Sequence, residues 1–316
     1  MYYLGIDLGG TNIAVGVVDE NNQIIGRATA KTIVPCAPEE MCDQLAKVAF
    51  AALENAKVSI DDISWIGIGC PGTVNRATGI VEFANNLSFD NFELSKLLSA
   101  QMNKKIIIEN DANAAAYGEY MAGALHGATN GLAITLGTGI GSGIIIDGKI
   151  YSGTNFAAGE MGHTVIVYNG RQCSCGRRGC WERYASATGL IITTKEAMEK
   201  ADRSSTIWQL AEGSLDNVSG RTAFDAMRAG DPTGQQVVDE YISYLGCGLA
   251  NAINIFQPDI LCIGGGICNE GETLLKPLRE YIDHEQYAMN STHKTKLCKA
   301  QLGNDAGIIG AALLGK

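Results

Sequence analysis

The chain has 316 residues, enough for two domains rather than one small core. Hydrophobic residues make up 46% and charged residues 18%, the balance of an ordinary soluble globular protein. The net charge of −10 argues against a general nucleic-acid or anionic-membrane surface, which needs a basic excess, but leaves nucleotide binding open.

In chain order, Tyr2 to Asp19 alternates through two β-rich runs broken by Gly9-Gly10-Thr11, and a turn at Asn21-Asn22 leads to a third run, Gln23 to Lys31. No basic or apolar leader precedes them, so no signal peptide is expected and a cytoplasmic location is. A helical pattern follows from Pro38 to about Lys57, with Met41, Leu45, Val48, Ala49 and Ala52 on one face. Strands are expected at Trp65–Gly69 and Lys105–Glu109, with helix-forming sequence between and after them.

The opening pattern then repeats. Ile134-Thr135-Leu136-Gly137-Thr138-Gly139 lines up with Ile6-Asp7-Leu8-Gly9-Gly10-Thr11, and Asp147-Gly148 stands where Asn21-Asn22 did. Each copy reads as a three-stranded meander with a glycine turn of phosphate size. The stretch 127–146 carries no charge, but its glycines and threonines make a poor membrane span. Farther on, an amphipathic helix runs from about Thr233 to Phe256, a buried strand at Asp259–Ile263 ends in Gly264-Gly265-Gly266, and a strand near Leu297–Leu302 leads into a helix from about Asp305.

Several clusters carry chemistry. In Asp7-Leu8-Gly9-Gly10-Thr11-Asn12, small residues let backbone amides and a hydroxyl reach phosphate oxygens, while Asp7 can hold Mg²⁺ through water. Alone, this is equally an ordinary hairpin. The second copy at Gly137, Thr138 and Gly139 favours two turns gripping one triphosphate. Gly265 lies in a strand-to-helix turn that suits a flat adenine ring, or is a plain connection. Asn110-Asp111-Ala112-Asn113 stands where a strand gives way to a helix. Asp111 there reads as an N-cap, or as a carboxylate placed to take a proton from a hydroxyl.

His163 with Cys173, Cys175 and Cys180 supplies one imidazole and three thiols, a donor set for tetrahedral zinc, with buried reduced thiols as the other reading. If zinc pins this loop, Glu160, His163 and Glu182 converge into a surface for hydroxyl groups; without it both glutamates read as solvated surface charges.

Taken together, these motifs resemble the ROK family (repressors, open reading frames, kinases), and within it the bacterial glucokinase branch. The resemblance runs from Asp7-Leu8-Gly9-Gly10-Thr11 through Glu109-Asn110-Asp111, Gly159-Glu160-Met161-Gly162-His163 and the cysteine loop to Gly303-Asn304-Asp305-Ala306-Gly307. It implies an α/β protein of the two-domain actin/hexokinase/Hsp70-like (ASKHA) ATPase fold, with a duplicated β-meander and an interdomain cleft. Residues 1–118 would form the N-terminal domain, completed by a C-terminal helix at about 305–316, and residues 119–304 the C-terminal domain with its zinc loop at 163–180.

The resemblance also implies roles. Asp111 would be the general base of an ATP-dependent hexose kinase, and Asn86, Asn110, Asp111, Glu160, His163 and Glu182 would contact the sugar. Asp7, Gly9, Gly10, Thr11, Asn12, Gly137, Thr138, Gly139 and Gly265 would hold ATP and Mg²⁺, while His163, Cys173, Cys175 and Cys180 would hold a structural zinc. Glucose is the expected hexose, with N-acetylmannosamine, N-acetylglucosamine, fructose and mannose as alternatives, and a homodimer is expected. Ser88-Phe89, where Gly-Trp often stands, bears on sugar identity, and Ser142 replaces a frequent glycine. A sugar-responsive repressor of this family carries a DNA-binding module before the first phosphate turn. Here six residues precede Asp7, so neither that module nor a nucleic-acid or membrane partner is expected. A noncatalytic sugar-sensing protein is the remaining rival, and the complete set at Asp111 and the sugar positions speaks against it.

Overall fold

Apolar strands covered on both faces build the first sheet. β1 (Tyr2–Leu8) buries Leu4, Ile6 and Leu8, and β2 (Asn12–Val18) buries Ile13, Val15 and Val17. In the computed structural model, which describes residues 1–316, these strands pair antiparallel with Asp7 opposite Ala14, and β3 (Ile24–Lys31) pairs antiparallel with β2. α1 (Pro38–Ala56) starts on a proline, which has no amide to leave unpaired, and ends at Lys57 in a left-handed conformation. Its predicted stripe is buried in the same core as β1 and β2.

β4 (Ile63–Cys70) joins β1 in parallel, as expected from the apolar run around Trp65–Gly69. The segment after β4 differs from the helix-forming stretch expected there. Between β4 and the next long strand lies a separate sheet of three strands, β5 (Thr73–Asn75), β6 (Ile80–Ala84) and β7 (Phe89–Phe92), before the one α-helix there, α2 (Leu94–Met102). Gly72 and Gly79 make its turns at φ 95° and 77°. β8 (Ile106–Asn110) then adds in parallel to β4, completing the order β3-β2-β1-β4-β8, and α3 (Asp111–Ala122) comes directly after it.

The second sheet repeats this arrangement. β9 (Gly131–Leu136), β10 (Ile140–Ile146) and β11 (Lys149–Ile150) form its meander. After the cysteine loop come α4 (Glu182–Ala185), α5 (Ala187–Met198), α6 (Thr206–Leu210), α7 (Thr222–Arg228) and α8 (Pro232–Phe256). β12 (Ile260–Gly264), α9 (Glu272–Glu285), β13 (Lys296–Lys299) and α10 (Ala306–Leu313) end the chain. The order β11-β10-β9-β12-β13 matches the first sheet position for position, and β12 and β13 are parallel as β4 and β8 are. The duplicated meander and the α/β class are therefore both present.

The chain divides into two compact units. The first comprises Met1–Ala133, Gly143–Gly159 and Ala300–Lys316; the second comprises Ile134–Ser142 and Glu160–Lys299. The first unit thus runs past residue 118 and takes in part of the second meander. Its C-terminal segment is fixed by Glu119, which is buried and accepts hydrogen bonds from the amides of Ala124 (2.7 Å), Gln301 (3.1 Å) and Leu302 (2.8 Å). α10 then lies directly on the sheet, where a Cβ on Gly67 would overlap the carbonyl oxygen of Ala311. No helix is long and apolar enough to cross a membrane.

Candidate active site

In the first unit, β1 and β4 run parallel with Asp7 beside Gly69, and β8 lies next with Glu109 beside Gly69. The C-terminal ends of these strands deliver Asp7 and Asp111 to the same region, the usual ligand position in such sheets. The turn after Asp7 is tight: the Gly9 amide donates to the Asn12 carbonyl at 2.9 Å, and the Thr32 hydroxyl donates to the Gly9 carbonyl at 2.7 Å. Thr11 and Asn12 are exposed at its tip. Gly10 faces Asn86, whose Cβ would lie 3.2 Å from a Cβ added at Gly10, so the turn and this sugar candidate are neighbours.

The cap of α3 is Asn110, not Asp111. The Asn110 side-chain oxygen accepts from the amides of Ala112 (2.9 Å) and Asn113 (3.2 Å), and its amide nitrogen donates to the Gly72 carbonyl at 3.1 Å. The capping role considered for Asp111 therefore falls to its neighbour. Asp111 is the first helical residue, half-buried, with Oδ1 accepting from the Ala112 amide at 2.8 Å. Burial pushes its pKa up, against the lowering effect of backbone amides and of Asn110. Burial and then the charge of Asp111 lift Asp7 from its ordinary 3.8 to about 6. A carboxylate at the C-terminal end of β1 is suitable donor chemistry for a hard cation such as Mg²⁺.

Sequence reasoning assigned no role to Glu109, although a charge ending the run Ile106-Ile107-Ile108 was the available signal. It is 1% exposed, and its Oε1 accepts from the Asn110 amide at 3.0 Å and from Asn113 Nδ2 at 3.1 Å. Phe89, weighed as a possible change to the sugar pocket, instead packs inside the small sheet against Phe92, with ring centroids 4.6 Å apart.

In the second unit, the turn at Gly137-Thr138-Gly139 closes with the Gly137 amide on the Gly139 carbonyl at 3.0 Å, and Thr138 is exposed at its tip. Gly265 has φ 106°, and a Cβ there would overlap the Leu136 carbonyl oxygen. The two glycine turns of this unit are thus packed backbone to backbone, which leaves no alternative residue at Gly265.

The cysteine loop folds back on itself through the isolated bridges Val165–Cys180 and Gln172–Arg178, with Gly176 and Gly179 at φ 90° and 82°. His163 Nδ1 lies 3.7 Å from Cys173 Sγ, Cys175 Sγ lies 3.6 Å from Cys180 Sγ, and all four donor atoms fall within 4.8 Å of one another. Tetrahedral zinc with Zn–S near 2.3 Å needs sulfur–sulfur edges of about 3.8 Å. The four residues therefore supply a donor set and spacing compatible with a tetrahedral metal ion. Burial pushes the Cys173 thiol up and the Cys180 thiol up to about 12, so metal binding must release protons there.

Glu182 stands at the edge of this cluster, with Oε1 3.2 Å from Cys173 Sγ and 3.7 Å from His163 Nδ1. Its backbone is anchored by Trp181, which is buried, donates from Nε1 to the Tyr244 carbonyl at 2.9 Å, and packs onto α8 at Gly248. The other Glu182 oxygen would lie 2.6 Å from a Cβ on Gly139, so Glu182 spans from the cysteine cluster to the second glycine turn. Glu160 is exposed, and its carbonyl accepts from the His163 amide at 3.1 Å. Ser142 is buried and accepts from the Met161 amide at 3.2 Å, so this replacement for glycine ties down the segment that carries His163. Because Nδ1 faces the cluster, the other ring nitrogen of His163 points away from it.

Two curated relatives are glucokinases. That of Streptomyces coelicolor is 38% identical over 314 residues, covering 99% of this chain and 97% of the relative. That of Thermotoga maritima is 38% identical over 311 residues, covering 98% and 95%. Among solved structures, a ROK family glucokinase from Streptomyces griseus in complex with glucose and AMPPNP superposes with a TM-score of 0.81 at 35% identity, covering 99% of this chain and 98% of that one. The sequence pattern described as the ROK family matches residues 3–316. With the duplicated meander, the paired glycine turns and the His-Cys₃ cluster, the chain belongs to the ROK family.

Proposed function

We propose that this chain is an ATP-dependent hexose kinase that phosphorylates glucose on its 6-hydroxyl. The observation that carries the reading is Asp111, a half-buried carboxylate at the start of α3 beside Asp7 and next to a capped, rigid strand end. Its full-length kinship to glucokinases supports the choice of sugar.

In this reading, Asn86, Asn110, Glu160, His163 and Glu182 bind the hexose through its hydroxyls. The turns at Asp7–Asn12 and Gly137–Gly139 hold the ATP phosphates, and the adenine packs on bare backbone at Gly265. Asp111 takes the proton of the primary hydroxyl as its oxygen attacks the γ-phosphorus and the bond to ADP breaks. Asp7 would hold Mg²⁺ by the phosphates, where the ion would neutralise charge on the transferring group. His163, Cys173, Cys175 and Cys180 would hold zinc, whose four protein ligands leave no open position, so its role is to fix His163 and Glu182. Use of cellular ATP fits a cytoplasmic location, and the family resemblance favours a homodimer without nucleic-acid or membrane partners.

The test is ADP release with glucose, mannose, fructose, N-acetylglucosamine and N-acetylmannosamine, with identification of the phosphorylated position. A buried carboxylate left without its hydroxyl costs on the order of 1–3 kcal/mol, so the wrong hexose should lose roughly ten- to a hundredfold in specificity. Another hexose exceeding glucose tenfold in kcat/KM would remove glucose as the preferred substrate. ADP release with none of them would end the kinase reading.

A further inference from the structure

Glu109 is a carboxylate placed where an ionised group is costly. It is 1% exposed, at the end of an apolar strand, and an unpaired charge there would be strongly destabilising. The cation that meets it is Arg76, whose Nη1 lies 3.4 Å from Glu109 Oε2. The other oxygen, Oε1, holds the Asn110 amide and the Asn113 side chain, the groups on either side of Asp111. Asn113 is itself buried, and its Oδ1 has no hydrogen-bond partner, so its orientation rests on donating Nδ2 to Glu109 Oε1.

Arg76 is held in place by its own turn. Asn75 Oδ1 accepts from the amides of Ala77 and Thr78, both at 3.2 Å, and Asn75 Nδ2 donates to Glu82 Oε1 at 2.9 Å. The same hairpin continues through β6 into the turn Asn85–Leu87 that carries Asn86. Asn110 Nδ2 adds a second tie, to the Gly72 carbonyl at the start of the small sheet. The inserted sheet is therefore clamped to the Asp111 segment at two points, one neutral and one charged.

We propose that Arg76 is a positioning residue for Asp111, acting through Glu109: by holding the Glu109 carboxylate at Oε2 it fixes the Asn110–Asn113 segment at Oε1 and couples the Asn86 hairpin to the base. This rests on Asp111 being the base of the proposed kinase reaction. Removing Arg76 leaves the buried Glu109 carboxylate without its cation, so the loss should be read in the unfolding midpoint and, in protein that stays folded, in turnover.

The experiment compares kcat, both KM values and the unfolding midpoint for Arg76→Met, Arg76→Lys, Glu109→Gln and the double variant Arg76→Met/Glu109→Gln, with Asp111→Asn alongside. At temperatures where it stays folded, Arg76→Met should lose about tenfold or more in kcat, as a displaced catalytic group does, with KM for ATP near that of the parent and a lowered unfolding midpoint that the double variant recovers. Arg76→Lys should restore most of the loss. The double variant should turn over faster than Arg76→Met alone, because a neutral amide at 109 needs no cation yet still accepts from Asn110. Parent-like kcat in Arg76→Met, or a double variant no faster than the single one, overturns the inference while a slow Asp111→Asn leaves the kinase reading standing. Near-normal turnover in Asp111→Asn, or a parent chain inactive on every hexose, overturns both.

Discussion

Asp111 lies close enough to Asp7 for its negative charge to add to burial in lifting the Asp7 carboxyl to about 6. Burial also raises the Asp111 carboxyl above its ordinary value. The folded chain binds a proton at Asp7 that the unfolded chain has released above its ordinary 3.8. The Asp7 contribution to stability is fully present below that value and is lost as pH rises through about 6. Asp7→Asn should then be more stable than the ligand-free parent at pH 8, by up to about 3 kcal/mol, and nearly equal to it at pH 4. Urea unfolding at the two pH values checks this; a variant less stable than the parent at pH 8 contradicts it. Activity should show the opposite trend, falling on acidification through about 6 as Asp7 takes up a proton.

Glu119 gives a purely structural prediction. Its carboxylate satisfies three backbone amides, two of them in the segment that leads into α10. Glu119→Ala leaves all three without an acceptor and should cost about 3 kcal/mol or more by denaturant unfolding. A loss under about 1 kcal/mol would mean that water replaces the carboxylate at no cost.

The His-Cys₃ cluster should bring about one zinc per chain through purification without chelators, and Cys175→Ser should lose it. Because Glu182 and His163 border the cluster, that loss should raise KM for the sugar more than KM for ATP. Elemental analysis that finds no zinc overturns the assignment, and equal damage to both KM values points to global misfolding instead.

Gly265→Ala tests the second pair of turns. The new methyl would meet the Leu136 carbonyl at a φ of 106°, which side chains rarely adopt. ATP affinity, measured by calorimetry, should fall by at least about tenfold, whereas glucose affinity should change little. Unchanged ATP binding would remove this turn from the nucleotide site.

The meanders were legible in the sequence because the β-rich runs broken by a glycine turn in Tyr2–Val18 recur around Gly137, and their strand orders coincide. α1 and α8 were legible because long apolar stripes sum to a clear signal. The small sheet was not: its strands span three to five residues, too few for a period to emerge, and its placement depends on Gly72 and Gly79. That His163, Cys173, Cys175 and Cys180 come together was legible, since donor type and spacing are local properties. The assignment of the cap to Asn110 rather than Asp111 is settled by backbone geometry one residue away, which residue type alone does not encode. Glu109 escaped notice for a related reason, as its partners Arg76 and Asn113 come together only once the strand ends are in place.

The most direct test of the central claim is Asp111→Asn, which keeps the size of the side chain and leaves the cap at Asn110 intact. Turnover with glucose should fall by about two orders of magnitude or more, while glucose affinity measured by calorimetry changes much less. A variant that binds glucose and retains near-normal turnover would contradict Asp111 as the base of the reaction.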